Sequence, residues 1–581
     1  MSLEANGGAP TIDHVVVLAL ENRSFDHLLG YLDHPDSRYE GLRKATKSGN
    51  RIGKRWIAAT DDGRHVLTAS PDHSHVGVMD QLRFRGVGKH RAPTNGGFAQ
   101  SFEIKASKGH MPPVYAGLLA PIAKRLARRK VLKKLAGSGQ GPLIMRCLSP
   151  DKAPVLSQLA LQFGVCDHWF CSVPGETWPN RNFMHAGTSD GTVNIDLRAF
   201  SDRTIFELLA DECREDHFIP WCVYFDDVPQ VAAFTRLWLS EKGNRINQDQ
   251  WRNIDLFAED VRRNRLARYS FIEPNHNAGA HLPGRFLTDR KLASNSQHPN
   301  NNLVNADAQG EFERETYSDP CYENCEGCDF WRGERLIARV YESLRAHPEL
   351  FAKTLLLITY DEHGGYFDHL PPPTDVPPPG ERPMERRRLS LRERILREEP
   401  SAPFAFNVLG PRVPAVVISP LIPAGSLDQD ERDHSSIPAT LRAIFAPTAG
   451  ALSKRDAWAP PFHTKLATLT QPRTDLPDLS KQANTKIKGE RDGAWLNTFL
   501  RGDGIGFPPL YINRPQPDLL DHGDLPQVQN IDPPPVLPPE MEHIDEGLME
   551  VAAWIARADA PPALQETTAA KDFKRFPIEP I

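Results

Sequence analysis

Buried strands and amphipathic helices alternate in the pattern of apolar and polar residues along this chain. Segments rich in apolar residues predict strands at 12–20, 165–170, 217–225, 268–273, 354–360 and 413–419, and the first contains an uninterrupted, mostly β-branched run at Val15–Leu18. Apolar residues at helical spacing predict helices at 154–163, 204–213, 255–264, 330–344 and 437–445. Such alternation is typical of βαβ units. We therefore expect an α/β fold with a central, mostly parallel sheet flanked by helices.

Polar residues that can bind a cation follow two of these strands. Glu21 and Asn22 come directly after the first strand, and Asp361 and Glu362 come directly after the strand at 354–360. A pair of glycines at 364–365 then allows a sharp turn. In open α/β sheets, ligands bind beyond the carboxyl ends of the strands. Oxygen ligands in this place favour magnesium, calcium or manganese over zinc, and a solvated turn that happens to be acidic explains the residues at 361–362 equally well.

A second candidate position is Thr177, in the segment GETWPNRNF at 175–183. Pro179 suits the first turn of a helix, which places Thr177 just before a helix N-terminus. Free amides and the helix dipole favour an anion such as phosphate there. The alternative interpretation is that Thr177 only caps the helix. Arg181 would either bind phosphate oxygens or form a structural ion pair.

Composition and charge narrow the class of protein. The chain has 581 residues, 40% of them hydrophobic and 25% charged, as in a soluble globular protein. A net charge of -6 gives no reason to expect a nucleic-acid partner. No run reaches the roughly 18 to 20 apolar residues of a membrane span, and no cleavable signal is visible. We expect a cytoplasmic protein, or one exported by a route that does not require a cleaved signal.

The sequence does not assign a definite role to a cluster of cysteines or to a run of basic residues. Cys321, Cys325 and Cys328 could hold zinc or an iron–sulfur cluster, but a loop with free thiols or one local disulfide is favoured because no fourth ligand is evident. The basic run at 124–134 is interpreted as a solvated face, with contact to a membrane surface as the alternative.

Several motifs resemble those of one family and occur in its order. They are ENRSFDH at 21–27, PDHSH at 71–75, GETWPNRNF at 175–183, YDEHGG at 360–365 and DHSSIPATLRAIF at 433–445. The chain thus resembles the bacterial phosphoesterase family of phosphatidylcholine-type phospholipases C and respiratory-burst-inhibiting acid phosphatases, which is similar in fold to alkaline phosphatase. The resemblance implies a catalytic domain at 10–447, with insertions at about 274–330 and 371–403. A proline-rich extension at 448–581 follows.

This resemblance implies a role for each polar position. The four residues expected to hold one divalent metal ion are Glu21, Asn22, Asp361 and Glu362. Thr177 would be the nucleophile and would form a phosphothreonine. The histidines expected in catalysis are His434 or His298, to protonate the leaving group, and His73, to bind phosphate. Arg181 and His363 would bind substrate. His276 and His281 compete with His298 for its role, and His75 competes with His73.

The substrate is the least determined part of this interpretation. The TWPNR context resembles the phospholipase branch, so we expect a phospholipase C acting on phospholipid headgroup diesters, with peripheral membrane contact. The alternatives are an acid phosphatase acting on soluble monoesters and, more remotely, a catalytically silent binding protein. The sequence does not indicate an oligomeric state.

Overall fold

An eight-stranded sheet forms the centre of the protein. The structure, a computed structural model, describes residues 11–67, 70–86, 91–108, 139–195, 199–213, 218–225, 229–238, 240, 246–276, 294–299, 329–380 and 404–485. The strands of the sheet are β1 (His14–Leu20), β4 (Gly164–Cys166), β5 (Trp221–Phe225), β6 (Trp251–Asn253), β7 (Tyr269–Glu273), β8 (Thr354–Tyr360), β9 (Ala415–Ile418) and β10 (Ser426–Asp428). A separate hairpin consists of β2 (Gly49–Ile52) and β3 (Arg55–Ala58).

The strand order is β10-β4-β9-β8-β1-β7-β5-β6. β9 is antiparallel to both of its neighbours, and the other described pairs in this sheet are parallel. The prediction of a mostly parallel α/β sheet is therefore confirmed. β1 and β8 are the central pair, and all seven residues of each are buried. Burial on both faces explains why these strands have continuous apolar sequences.

Helices cover the sheet and connect its strands. They are α1 (Phe25–Leu29), α2 (His75–Leu82), α3 (Phe98–Lys108), α4 (Pro154–Gln162), α5 (Thr177–Ala186), α6 (Ile205–Glu212), α7 (Leu256–Arg262), α8 (Asp329–Arg345), α9 (Pro348–Phe351), α10 (Ser436–Phe445), α11 (Lys454–Trp458) and α12 (Ser480–Ala483). The five predicted helices are present, with ends shifted by one or two residues. At α6, for example, Thr204 and Glu207 form a capping box, which sets the start of the helix.

The strand predicted at 165–170 is shorter than expected. β4 ends at Cys166, and Trp169 and Phe170 form only isolated bridges, to Arg432 and Arg412. The apolar pattern continues because these side chains are buried, not because the strand does.

Part of the predicted C-terminal extension packs on the sheet domain. Phe462, Leu466 and Leu479 belong to the main hydrophobic core, and the Tyr341 hydroxyl of α8 donates to the Pro477 carbonyl. Within the described ranges, no helix has the length and apolar character needed to cross a membrane. The three clustered cysteines, the basic run at 124–134, His281 and residues 486–581 lie outside the described residues.

Candidate active site

Three neighbouring parallel strands each lead into a carboxylate at the same edge of the sheet. Glu21 follows β1, Asp361 follows β8, and Glu273 is the last residue of β7. The register pairs Leu20 with Tyr360 and Leu18 with Ile272, so the three acids are brought side by side. Each is at most 2% exposed. The sheet alone therefore concentrates negative charge at one buried place.

Arg181 of α5 crosses this row of acids. Its Nε donates to Asp361 Oδ2 at 2.9 Å, its Nη1 donates to Glu273 Oε1 at 2.7 Å, and its Nη2 lies 3.9 Å from Glu21 Oε1. Burial alone would lower the pKa of Arg181, but these carboxylates hold it above its ordinary value. Of the two roles considered for Arg181, these contacts are those of the structural ion pair. Substrate binding by Arg181 stays a prediction.

Asn22 and the glycine turn hold the two ends of the site together. The Asn22 amide donates to Asp361 Oδ1 at 3.1 Å, and Asn22 adopts a left-handed φ of 58°. Gly364 and Gly365 have φ values of 64° and 73°, so the predicted sharp turn is present. A Cβ at Gly364 would lie 2.0 Å from the Asn22 carbonyl oxygen. Glycine is required here both by its dihedral angle and by this close approach.

Thr177 is the first residue of α5, and its hydroxyl faces the site. The N-cap is Glu176, so the interpretation of Thr177 as a capping residue is wrong. The Thr177 hydroxyl instead donates to Asn22 Oδ1 at 3.4 Å. The residue is 3% exposed. A hydroxyl, a helix N-terminus and the residues after β1 therefore meet at one point.

Glu362 is surrounded by two histidines. Its Oε1 lies 3.0 Å from His73 Nδ1, and its Oε2 accepts from the Gly364 amide at 2.7 Å. Burial opposes a charge on His73, but the Glu362 carboxylate raises its pKa to about 9. His363 is fully buried between Glu362 and Gln81, where it supports the carboxylate. His75, the rival of His73, contacts the Pro174 carbonyl instead.

His276 joins the site on the side of Glu21. Its Nδ1 lies 2.9 Å from Glu21 Oε2 and its Nε2 lies 3.1 Å from Glu273 Oε1. His298 is also present, with its ring centroid 5.7 Å from that of His73. Burial lowers the pKa of His298 to about 4. His276 and His298 are thus not exclusive alternatives, because the structure brings both to the site.

His434 has both ring nitrogens committed. The indole N–H of Trp169, which can only donate, lies 3.2 Å from His434 Nδ1. Nδ1 is therefore the acceptor, and Nε2 carries the proton that it donates to the Asp361 carbonyl at 2.5 Å. Burial lowers the pKa of this imidazole to about 4. These bonds make His434 a support for the backbone of Asp361, which leaves His298 as the candidate acid.

Comparison with known proteins identifies the family. The model of the phosphoesterase family matches residues 12–446, which is most of the chain. The chain belongs to the phosphoesterase family. It is thus a hydrolase that acts on phosphoric ester bonds, as the resemblance of its motifs predicted.

Curated relatives of this phosphoesterase cover most of its length. Non-specific phospholipase C3 of Arabidopsis thaliana is 28% identical over 537 residues, which cover 86% of this chain and 84% of the relative. Non-specific phospholipase C4 of the same plant is 29% identical over 516 residues, with coverages of 85% and 79%. Phospholipase C B of Mycobacterium tuberculosis is 27% identical over 497 residues, with coverages of 78% and 77%.

The oxygen atoms of this phosphoesterase site are of the kind that a hard cation prefers as ligands. Glu21 Oε1 is buried and makes no hydrogen bond among the described residues, and Glu362 Oε1 is buried against the His73 ring, whose Nδ1 lies 3.0 Å away. Buried carboxylate oxygens in this state are costly unless a cation is nearby. Asp361 is different, because both of its oxygens already accept hydrogen bonds, from Arg181, Asn22 and the Glu362 amide. The predicted metal role therefore fits Glu21 and Glu362 better than it fits Asp361.

The tightest acidic group in the described part of the chain lies elsewhere. Asp26, Asp368 and His369 each offer a ligand atom within 4.8 Å of the others. However, the Arg412 guanidinium donates to Asp368 Oδ1 at 2.9 Å and to Asp26 Oδ1 at 3.0 Å. A fixed cation already compensates this group, so we interpret it as a structural ion cluster.

Glu273 and Gln81 were not expected in the site. Glu273 is the last residue of its strand, and Glu21 and Asp361 directly follow theirs. A comparison of the three strand ends could therefore have identified Glu273. Gln81 carries no such signal. Its contact with His363 depends on how α2 packs over the glycine turn, a contact between residues 282 positions apart.

Proposed function

We propose that this phosphoesterase is a phospholipase C that cleaves phospholipid headgroup diesters on the glycerol side, through a phosphothreonine at Thr177. The observation that carries the proposal is the position of the Thr177 hydroxyl, at the first residue of α5 and 3.4 Å from Asn22 Oδ1. The names of the plant and mycobacterial relatives support the choice of a phospholipase C.

Phosphate would bind between the N-terminus of α5 and His73. The first amides of a helix have no partner within the helix and carry its positive dipole end. His73 adds a positive charge, since its pKa is raised to about 9. Both groups are fixed before substrate arrives, so they can stabilise the additional negative charge of the transition state at little cost in reorganisation.

The reaction would have two steps. Thr177 gives up its hydroxyl proton to solvent, and its Oγ1 attacks phosphorus. The bond from phosphorus to the glycerol oxygen breaks, and diacylglycerol leaves with a proton from His298, which His298 later regains from solvent. Contact with the anionic substrate raises the pKa of a buried histidine, which lets His298 hold that proton. Water then attacks the phosphothreonine, and the bond from phosphorus to Thr177 Oγ1 breaks. One proton of the water passes to Thr177 Oγ1, and the phosphorylated headgroup leaves.

A divalent metal ion would be held by Glu21, Asn22 and Glu362, with Asp361 beside them. When bound, such an ion would polarise the phosphoryl oxygens and lower the pKa of a nearby hydroxyl. The support for this part of the proposal is Glu21 Oε1, which is buried and makes no hydrogen bond among the described residues.

The test compares lipid and soluble substrates. The protein is incubated with phosphatidylcholine or phosphatidylethanolamine vesicles, with and without divalent metal, and diacylglycerol is measured. Thr177→Ala should abolish its release, whereas Thr177→Ser, which keeps a hydroxyl, should retain part of it. Near-normal turnover by Thr177→Ala would overturn the nucleophile. Rapid phosphate release from soluble monoesters without any diacylglycerol would establish the acid phosphatase instead.

A further inference from the structure

A strongly basic surface lies on the hairpin of β2 and β3 and the segment that leads into it. Residues 41–60 contain no acidic residue, although the whole chain has a net charge of -6. The segment carries six basic side chains, all of them exposed: Arg43, Lys44, Lys47, Arg51, Lys54 and Arg55. We call these six residues and Trp56 the basic hairpin patch.

The charges of the basic hairpin patch are not neutralised. Within the described part of the chain, none of its six basic side chains forms an ion pair. Other exposed arginines do form them, such as Arg203 with Asp211 and Arg262 with Glu259. Uncompensated like charges repel one another and persist at low cost only in water or against an anionic partner. The patch is therefore a concentrated positive surface on an otherwise acidic protein.

Trp56 adds an exposed aromatic ring to this surface. It pairs with Arg51 across the hairpin, and the Arg51 guanidinium lies over the indole, 5.5 Å from its centroid. The Gly49 backbone packs so closely against the indole that a Cβ there would approach its ring carbons to 2.6 Å. Trp56 is nevertheless 45% exposed. A tryptophan beside basic residues is the combination that proteins place at the interface of a lipid bilayer.

The patch is connected rigidly to the candidate active site. Asn50 of β2 donates to the Asn95 carbonyl, and the Asn95 side chain donates to the carbonyls of Asp368 and Leu370, just after the glycine turn. α3 packs on β2, and α2, next to α3, supplies Gln81 to His363. The hairpin, α2 and α3 therefore form one layer over the site.

The remaining exposed apolar side chains belong to the same layer. Trp56, Val76 of α2 and Ile104 of α3 are the large apolar side chains found exposed in the described ranges, and Val76 and Ile104 are 54% and 49% exposed. α2 and α3 pack against each other, so Val76 and Ile104 belong to one layer. Apolar exposure is thus concentrated on the layer that also carries the basic hairpin patch.

We propose that the basic hairpin patch docks the protein on an anionic phospholipid surface. The inference deepens the proposed function and rests on it for the choice of lipid. Six basic residues complement an anionic leaflet, and Trp56 would enter the headgroup region. Single-stranded nucleic acid is less suited, because stacking needs an open aromatic face and Arg51 covers one face of Trp56.

The experiment measures binding to vesicles by sedimentation, using phosphatidylcholine alone and phosphatidylcholine mixed with phosphatidylglycerol. The patch variant is Lys47→Gln/Arg51→Gln/Arg55→Gln. The control is Arg203→Gln/Arg236→Gln/Arg262→Gln, which removes the same charge from other exposed sites. Each basic residue near an anionic surface contributes about 1 kcal/mol, so the patch variant should bind mixed vesicles roughly a hundredfold more weakly. The control should bind like the parent, and added salt should weaken parent binding.

Further measurements separate the outcomes. Trp56→Ala should weaken vesicle binding but not binding to soluble dextran sulfate. The patch variant should cleave a monomeric, short-chain phosphatidylcholine as the parent does. Equal vesicle binding by the patch variant and the parent would overturn the docking proposal. A patch variant that binds vesicles as the parent does but no longer binds single-stranded RNA would overturn it as well. Vesicle binding without cleavage of any lipid would leave the patch standing and would count against the proposed function.

Discussion

Substitution of Gly364 by alanine tests whether the glycine turn positions the active site. Gly364 has a φ of 64°, and a Cβ there would meet the Asn22 carbonyl oxygen at 2.0 Å. Gly53, in the turn of the hairpin, has nearly the same φ of 61° but open space around its Cβ position. The two alanine variants therefore share the backbone strain and differ in the clash.

The expected costs follow from this difference. An L-residue in the left-handed region costs about 1–2 kcal/mol, which both variants incur. Gly364→Ala must in addition move the Asn22 carbonyl by at least 1 Å, since real Cβ contacts are essentially never under 3.0 Å. Overpacking of this kind costs about 1–3 kcal/mol. We expect a loss in unfolding free energy of roughly 1–2 kcal/mol for Gly53→Ala and roughly 2–5 kcal/mol for Gly364→Ala.

Activity should separate the two variants more clearly than stability. The Asn22 amide bonds to Asp361, and its side chain accepts from Thr177, so a shift of Asn22 displaces the proposed nucleophile. A displacement of about 1 Å can reduce turnover by roughly a hundredfold. Stability is measured by denaturant unfolding, and kcat/KM on a monomeric soluble diester. If Gly364→Ala matches Gly53→Ala in both measurements, the turn does not position the site.

Three further predictions concern the charged groups. Arg412→Met should cost about 3–5 kcal/mol of unfolding free energy because it removes the guanidinium that pairs with the buried carboxylates of Asp26 and Asp368, whereas Arg38→Met at an exposed ion pair should change the unfolding free energy little. Burial raises the pKa of Glu334 to about 8, so the folded state holds a proton that the unfolded state releases, and stability should fall by about 1.4 kcal/mol per unit as pH rises from about 5 to 8. Glu334→Gln should remove this part of the slope, measured by urea unfolding at several pH values. Glu362→Gln should lower the amount of divalent ion bound in equilibrium dialysis while Glu334→Gln should not, and equal binding would remove Glu362 from the metal site.

Sequence pattern predicted the sheet well because the pattern is itself a consequence of burial. β1 and β8 are enclosed on both faces, so every position in them is apolar and their ends are marked by the first polar residue. Glu21 and Asp361 could be found for that reason. The short β4 could not, because Trp169 and Phe170 are equally buried outside a strand. An apolar segment indicates that its side chains are buried, but it does not indicate whether its backbone pairs with a neighbouring strand.

Roles within the site were harder to predict, because they depend on which atoms remain available after packing. Nothing in the sequence separates His434 from His298, yet Trp169 and the Asp361 carbonyl take both nitrogens of His434. Likewise, the motif does not reveal that the Arg181 guanidinium donates to the carboxylate of Glu273. Availability of this kind is decided by long-range contacts, which a motif does not encode.

Two of the buried acidic groups in the described part of the chain differ in how their negative charge is compensated. In the structural ion cluster, Arg412 bonds to both Asp26 and Asp368, and Asp26 also accepts from His369. At the sheet edge, the Arg181 guanidinium is shared between Asp361 and Glu273, and the rings of His276 and His73 lie against Glu21 and Glu362. Glu21 Oε1 makes no hydrogen bond among the described residues.

This difference in compensation has a physical consequence. Buried negative charge without sufficient hydrogen bonds favours a bound cation, and a cation beside a hydroxyl favours attack on an anionic phosphate. The same argument predicts that the structural ion cluster binds no divalent ion, since Arg412 already occupies the position that a metal would take. The candidate site at the sheet edge is therefore a more suitable place for a cation than the structural ion cluster.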